Sequence, residues 1–410
     1  IPMCAFEQSE KGMEFNMNNI ISISGMPVSG KSTTIKQIIE ELKNRGFNKE
    51  NIHLVSTGKE FRNYFNFIID LLSNINDMDS KIEKCNDAKI KKLFSSKNFR
   101  NIIINLIVNM RKNGYDLSSF SIEQANNLEC FKDLRYIIDT TVDTDIEKLG
   151  KDIQEKNSEE DFWIIDSRLA FHNIPESFAV RLTIDEDIAA KRLLADSSRG
   201  NEDNNYKNEK EAKKAIIKRK NGEVKRYIER YNVNLEDEDN YDLIIDTSYS
   251  KVEDIAEAIL DCHQMYNEKK YFGKNWTSPK KLLPLQTERD TLGRGTFMNM
   301  DEMINSIKEN GYKVGEEIEV IKVDNKDYII EGHHRNFGAA LAGKTLVPYT
   351  IIAKDDEQLP SYYGKESARK RIIGFNKNDL IGHEWMFGKQ FSYTDIYPNI
   401  YNEFNRNEGR

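Results

Sequence analysis

Cysteine is scarce and badly placed for metal. The 410 residues hold four, Cys4, Cys85, Cys130 and Cys262. None forms a CxxC pair, and only Cys262 touches a histidine in sequence, His263. Adjacent side chains rarely bind one ion, so a structural zinc is not expected. Scattered cysteines suit a reducing cytoplasm, the expected location. Long apolar runs are also missing. The longest, "NIIINLIVNM" (residues 101–110), is too short to span a bilayer and reads as a buried helix. No membrane partner is expected. Positive charge is not in excess either: 60 Lys and Arg stand against 68 Asp and Glu, a net charge of -8. A broad basic face for duplex nucleic acid is disfavoured, while a local basic groove stays open. The first 17 residues lack the basic-then-apolar order of a signal peptide and are expected to form a flexible arm. The length predicts two or three domains.

What the sequence does have is a phosphate-binding loop. Gly25-x4-Gly30-Lys31-Ser32 follows a β-branched run, Ile20 to Ile23, and precedes an amphipathic helix with Ile35, Ile38, Ile39 and Leu42. Strand, glycine loop and helix start are the context a P-loop requires. The backbone around Ser29 and Gly30 would curl about phosphate oxygens. Lys31 would neutralise β/γ-phosphate charge, and Ser32, followed by Thr33, would place a hydroxyl on Mg2+. ATP and Mg2+ are therefore the expected cofactors. Strand and helix then alternate through "EDFWIIDSRLAFH", "FAVRLTIDEDIAAKRLL" and "YDLIIDTS" to a helix ending near Tyr266. That alternation predicts an α/β fold, a parallel sheet flanked by helices with ligands at the C-terminal strand edge.

Over residues 18–268 the chain carries, in order, the P-loop, "STGKEFR", "YIIDTTVDTDI", "IIDSRLA", "KRLLADSSRG…KRKNGEVKRYIERYNV" and "YDLIIDTS". This series resembles the nucleoside-monophosphate kinases, and most closely the archaeal-type cytidylate kinases. The resemblance implies phosphoryl transfer to a nucleotide-like or modified-nucleoside acceptor. It implies that Arg62, Asp143 and Arg168 hold the acceptor side. Asp166 would orient Mg2+ or accept the acceptor proton; the alternative is a helix cap. A lid over about 192–232 would bring Arg192, Arg199, Arg219, Arg226 and Arg230 over the transferred phosphate; the alternative is a solvated helix face. Two departures stand out. The family's "E-G-R" is "D-S-R" here, and residues of about 62–140 form a helical insertion in the acceptor region.

Residues 269–283, polar and basic with Pro279, read as a linker into a second domain, 284–410. There the order predicted is helix (300–310), strand (318–323), a turn at Asp324-Asn325, strand (327–330), the loop Glu331-Gly332-His333-His334-Arg335, helix, and strand (346–352). With Pro284, Gly343 and Val347-Pro348, this resembles the smaller α+β ParB/sulfiredoxin fold, closest to free-serine kinases and ParB-like nucleases. Sulfiredoxins place a catalytic cysteine where His333 stands, which excludes that chemistry. The resemblance implies a second anion cradle, with Gly332 allowing close approach and the Arg335 and imidazole N–H groups donating to phosphate. One of the two histidines is expected to face the ligand and the other to pack. Glu288 would assist transfer. The aromatic tail, with His383, caps the domain or stacks on bases. Other readings remain: a DNA- or RNA-directed kinase, for instance of hydroxymethylated bases, with nucleic acid held by the second domain; a nucleotide-switched partition protein; or a nuclease.

Overall fold

A computed structural model describes residues 19–73, 77–115, 131–156, 158, 160–195, 206–286, 300–313 and 315–373. Strand β1 (Ile20–Gly25) is buried along its whole length, as a strand covered on both faces must be. It runs into α1 (Lys31–Asn44), whose Ile35, Ile38 and Leu42 face the sheet at helical spacing. Then comes β2 (Ile52–Ser56). Helices α2 (Thr57–Ser73), α3 (Met78–Lys84), α4 (Ala88–Ser95), α5 (Lys97–Lys112) and α6 (Lys132–Lys156) follow. The chain returns to the sheet as β3 (Phe162–Asp166), short α7 (Ala170–Asn173), β4 (Phe178–Thr183), α8 (Glu186–Ala195), α9 (Glu209–Tyr231), β5 (Leu243–Asp246) and α10 (Val252–Asn267). The remainder is β6 (Asn275–Thr277), β7 (Leu283–Pro284), α11 (Met300–Asn310), β8 (Ile318–Val323), β9 (Lys326–Glu331), α12 (His333–Leu341), β10 (Val347–Lys354) and α13 (Ala368–Ile373).

All the described strands form one sheet, in the order β2-β3-β1-β4-β5-β6-β10-β8-β9-β7. Strands β2 to β6 in that order run parallel. This puts the C-terminal ends of β1, β2, β3 and β4 along one edge, where the P-loop and Asp166 emerge. The direction reverses at β6. It pairs parallel with β5 (Ile244↔Asn275) and antiparallel with β10 (Pro348↔Trp276). The segment whose polar composition suggested a linker thus carries the strand that joins the two halves. Its apolar residues decide this: Trp276 and Leu282 are buried, and the Trp276 indole donates to the Gly273 carbonyl at 2.6 Å. A three-residue strand between charged flanks has too little alternation to be visible as a strand.

The sheet and the insertion have separate cores. One packs Ile21, Ile38, Val180, Leu243 and Ile259 between the sheet, α1 and α10. The other joins Phe65, Phe94, Phe99, Ile103, Met110 and Ile138 within helices α2 to α6. Rings Phe94 and Phe99 meet edge-on at 5.0 Å. Helix α5 is buried on one face only, since Ile104 and Val108 are exposed. In the second half the β8–β9 turn forms as expected: Asp324 (φ 50°) and Asn325 (φ 64°) take the left-handed conformations of a tight hairpin.

Candidate nucleotide and acceptor site

The loop between β1 and α1 is held under strain. Val28 has φ 67°, a conformation that a β-branched residue adopts only when its surroundings impose it. Gly30 (φ 81°) is the N-cap of α1 and supplies no side-chain cap. Its carbonyl takes the amides of Thr33 and Thr34 at 3.0 and 2.9 Å. The first amides of the helix stay available, and with the helix dipole they make an anion site.

Lys31 meets the Asp166 carboxylate in an ion pair. The same carboxylate accepts a hydrogen bond from the Ser56 hydroxyl at 2.8 Å, at the end of β2. Parallel pairing of β2 and β3 puts Ser56 opposite Asp166. Burial lowers the Lys31 pKa, and the neighbouring Arg168 lowers it further; Asp166 opposes both. Lys31 is poised to take up phosphate negative charge that would outweigh the burial cost.

A cavity of about 1060 Å³ opens beside the P-loop, large for a single small ligand. Its near wall is Ser29, Gly30, Lys31, Ser32 and Thr33. Its far wall comes from three elements. Arg62 lies on α2, Asp143 on α6, and Arg219, Arg226 and Arg230 on α9. Asp166 and Arg168 stand between the walls. Residues 219, 223, 227 and 231 are spaced by four, so one face of α9 points into the cavity. Arg168 Nε bonds Glu223 of that face at 2.9 Å, and Arg219 Nε reaches the same carboxylate at 3.3 Å. Burial pushes the Glu223 pKa up, but the two guanidiniums outweigh it and hold the carboxyl below the usual range. Arg230 bonds Asp139 of α6 at 2.6 Å and lies over the Tyr136 ring, 4.8 Å from its centre. The Tyr231 hydroxyl donates to Asp143. Burial raises the Asp143 pKa; the bond from Tyr231 works against the rise, and nearby Asp139 adds to it.

The structure therefore gathers Arg62, Asp143, Asp166, Arg168, Arg219, Arg226 and Arg230 around one cavity with the P-loop. Gly25 sits beneath the loop, against Leu182 and Ser29; a side chain there would strike the Ser29 hydroxyl at 2.6 Å. Arg192 is not at the cavity wall. Its guanidinium donates to the carbonyls of Thr247 at 2.6 Å and Ser248 at 3.1 Å, behind the loop, so the expected lid role is corrected to a scaffold one. Arg199, Glu288, His383, the aromatic tail and the N-terminal arm lie outside the described residues. The sequence reading missed Asp139, Glu223, Tyr227 and Tyr231 as wall residues. Their four-residue spacing with known candidates on two helices was the available signal.

The second expected cradle is built differently from the expectation. Gly332 does take φ 96°, and a side chain there would press on Ile318 at 3.1 Å. His333, however, is buried, and its Nε2 accepts the Leu285 amide at 3.0 Å. With Nε2 an acceptor the neutral ring keeps its proton on Nδ1, and burial, followed by the neighbouring His334, lowers the pKa to about 3, so the imidazole offers an anion no positive charge. Arg335 is engaged through Nη1 as well. It donates to the Glu316 carbonyl at 2.5 Å and the Glu317 carbonyl at 3.3 Å, with the Glu331 carboxylate 3.9 Å away. His333 and Arg335, expected as anion donors, are held here by protein partners and tie α12 to β7 and to the approach to β8. His334 is partly buried beside them. Among the described residues no group of three or more His, Cys, Asp or Glu is arranged for a metal. No helix among them is long and apolar enough to cross a membrane.

Comparison with known proteins agrees at the level of the loop. The NB-ARC domain family matches residues 8–108, about a quarter of the chain. With the strand order around β1, this places a P-loop NTPase domain in the N-terminal half. A curated relative from Lacinutrix mariniflava, an S-adenosylmethionine-dependent nucleotide dehydratase, is 33% identical over 126 residues. The match covers 29% of this chain and 24% of that protein, so the chain spans about a quarter of the length of its curated relative.

Proposed function

We propose that the chain is an ATP-dependent phosphotransferase whose acceptor is an anionic nucleotide-like molecule or modified nucleoside. One observation carries this reading: the P-loop opens into a cavity whose opposite wall is a set of arginines on separate elements. A nucleotide switch needs no such second wall. The resemblance to cytidylate kinases points the same way, and the insertion that forms the α6 side of the wall is where the chain departs from that family. The relative's name puts a nucleotide among that protein's substrates, which fits a nucleotide-handling role; its dehydration chemistry is not carried over.

Phosphoryl transfer calls for positioning and charge neutralisation. An acceptor oxygen attacks the γ-phosphorus of ATP, the bond to the β–γ bridging oxygen breaks, and ADP leaves with that oxygen. Lys31 and the α1 amides hold the β and γ phosphates. Arg62, Arg168 and Arg226 hold the acceptor in line. If the acceptor oxygen is a hydroxyl, Asp166 stands ready to take its proton; a phosphate oxygen needs no base. Ser32 and Asp166 are hard oxygen donors at one site and suit Mg2+, which would neutralise charge on the transferred group. Arg219 and Arg230 keep the α9 face in place through Glu223 and Asp139.

For residues 284–373 the order of α11, β8, β9, α12 and β10 supports the ParB/sulfiredoxin-like reading of the fold, without an anion role for His333 or Arg335. The test is a mass-spectrometric screen of ATP with nucleoside monophosphates, nucleosides, serine and oligonucleotides. Transfer to one class, lost in Lys31→Ala, is expected. No transfer to any, with ATP turnover independent of Lys31, would overturn the proposal.

A further inference from the structure

The loop after β5 touches both halves of the molecule. On one side it braces the P-loop. The Thr247 hydroxyl lies 2.9 Å from the Ser29 carbonyl and 3.0 Å from that of Thr183, and its one proton serves either. Arg192 fixes the next two carbonyls, and the Ser248 hydroxyl accepts the Asp185 amide at 2.8 Å. On the other side the loop is gripped from beyond the P-loop domain. Lys281, between β6 and β7, forms an ion pair with Asp246, the last residue of β5. Asp246 is buried, and its other oxygen accepts the Ser248 amide at 3.0 Å. Thr345, just before β10, accepts the Lys251 amide on its hydroxyl at 3.0 Å and the Ser250 hydroxyl on its carbonyl at 2.9 Å. Its own amide and hydroxyl bond Asp254 in the first turn of α10.

We propose that Lys281 and Thr345 are positioning residues for the nucleotide site, holding the 246–251 loop so that Thr247 sets the carbonyl of Ser29 and with it the strained P-loop. The path is a chain of direct contacts: Lys281 to Asp246, Asp246 to the Ser248 amide, the adjoining Thr247 to Ser29. A charge removed at Lys281 leaves a buried carboxylate without its cation. The loop then relaxes toward water, and the Thr247–Ser29 contact is the one that gives, because Val28 and Gly30 on either side of Ser29 are in left-handed conformations that need bracing. The second half is thus part of the nucleotide site by way of one shared loop. The inference rests on the P-loop binding nucleotide and not on transfer to any acceptor.

The test measures ATP binding to the full chain by fluorescent-nucleotide titration, with thermal melting of each variant. Lys281→Met is expected to weaken ATP about tenfold. Lys281→Arg, which keeps the cation, is expected to restore affinity to within about twofold, a split that loss of folding would not produce. Thr345→Val, which keeps the shape and removes the hydroxyl, is expected to weaken ATP by a smaller factor, and it serves as the test if Lys281→Met fails to fold. In hydrogen exchange, ATP is expected to slow the amides of residues 249–254 in the wild type and not in Lys281→Met. Melting temperatures that fall while ATP affinity stays at the wild-type value in both Lys281→Met and Thr345→Val would overturn the inference. A wild type that binds ATP but transfers phosphate to nothing would sink the kinase reading alone; a wild type that binds no ATP would sink both.

Discussion

Replacing His333 by glutamine removes a pH dependence that the fold builds in. His333 is 4% exposed, and its neutral Nε2 accepts the Leu285 amide. Its folded-state pKa, lowered to about 3, lies below the value near 6.5 of an exposed histidine. Between those values the unfolded chain binds a proton that the folded chain refuses. The contribution to stability is therefore whole above the unfolded value and is lost as pH falls through and below it. At pH 5.5, one unit below, the loss amounts to about 1.4 kcal/mol, and at pH 7 it is close to nil. Glutamine offers a carbonyl oxygen to the same amide and has no proton to gain. The assay is equilibrium urea unfolding of wild type and His333→Gln at pH 7 and pH 5.5. The wild type should lose about 1 kcal/mol more than the variant across that interval. Equal losses would show that His333 takes up its proton in the folded chain as readily as in the unfolded one, which would refute the buried neutral acceptor.

Lys31→Met should lower ATP turnover by roughly 10²- to 10³-fold, since it removes the cation that meets the transferred charge; a coupled ADP-release assay reads this. Glu223→Gln frees Arg168 and Arg219 from their shared carboxylate. It should tighten binding of inorganic phosphate or sulfate by roughly three- to tenfold while lowering stability by about 1 kcal/mol, by calorimetry and urea unfolding; unchanged anion binding would mean those guanidiniums do not face the ligand. Gly332→Ala should cost roughly 1–3 kcal/mol, because alanine is strained at φ 96° and its methyl would press on Ile318; a melting temperature within one degree of wild type would contradict this.

The parts of the fold written in short-range pattern were legible. The P-loop follows from four residues and their flanks, and α11 and β8 fall at the expected bounds because their apolar spacing is regular. The hairpin at Asp324-Asn325 followed from its turn residues. What was not legible depends on partners distant in sequence. Strand β6 is a strand only because β5 and β10 offer edges to it. His333 reads the same in a sequence whether its nitrogen meets a ligand or the amide of Leu285, 48 residues away. Arg192 and Arg226 look equivalent as basic helix residues. Their roles part because α8 packs behind the loop while α9 faces it.

The site's charge was hidden for a related reason. The chain as a whole is acidic, at -8, yet six basic side chains face four acidic ones in the cavity. Burial raises the Asp143 pKa, against the bond from Tyr231. The basic groups come from four places in the sequence, and only Arg219, Arg226 and Arg230 fall within one stretch. Several are already aligned by carboxylates: Lys31 by Asp166, Arg168 and Arg219 by Glu223, Arg230 by Asp139. Holding guanidiniums in position before a ligand arrives moves the ordering cost into folding. An arriving phosphate then replaces one anion with another and finds its donors set, so the electrostatic gain is not spent on reorganisation. A surface whose arginines were free in water would have to immobilise each of them on binding. The acidic residues of the wall thus order its arginines and at the same time compete with an arriving anion for them, and it is this competition that Glu223→Gln removes.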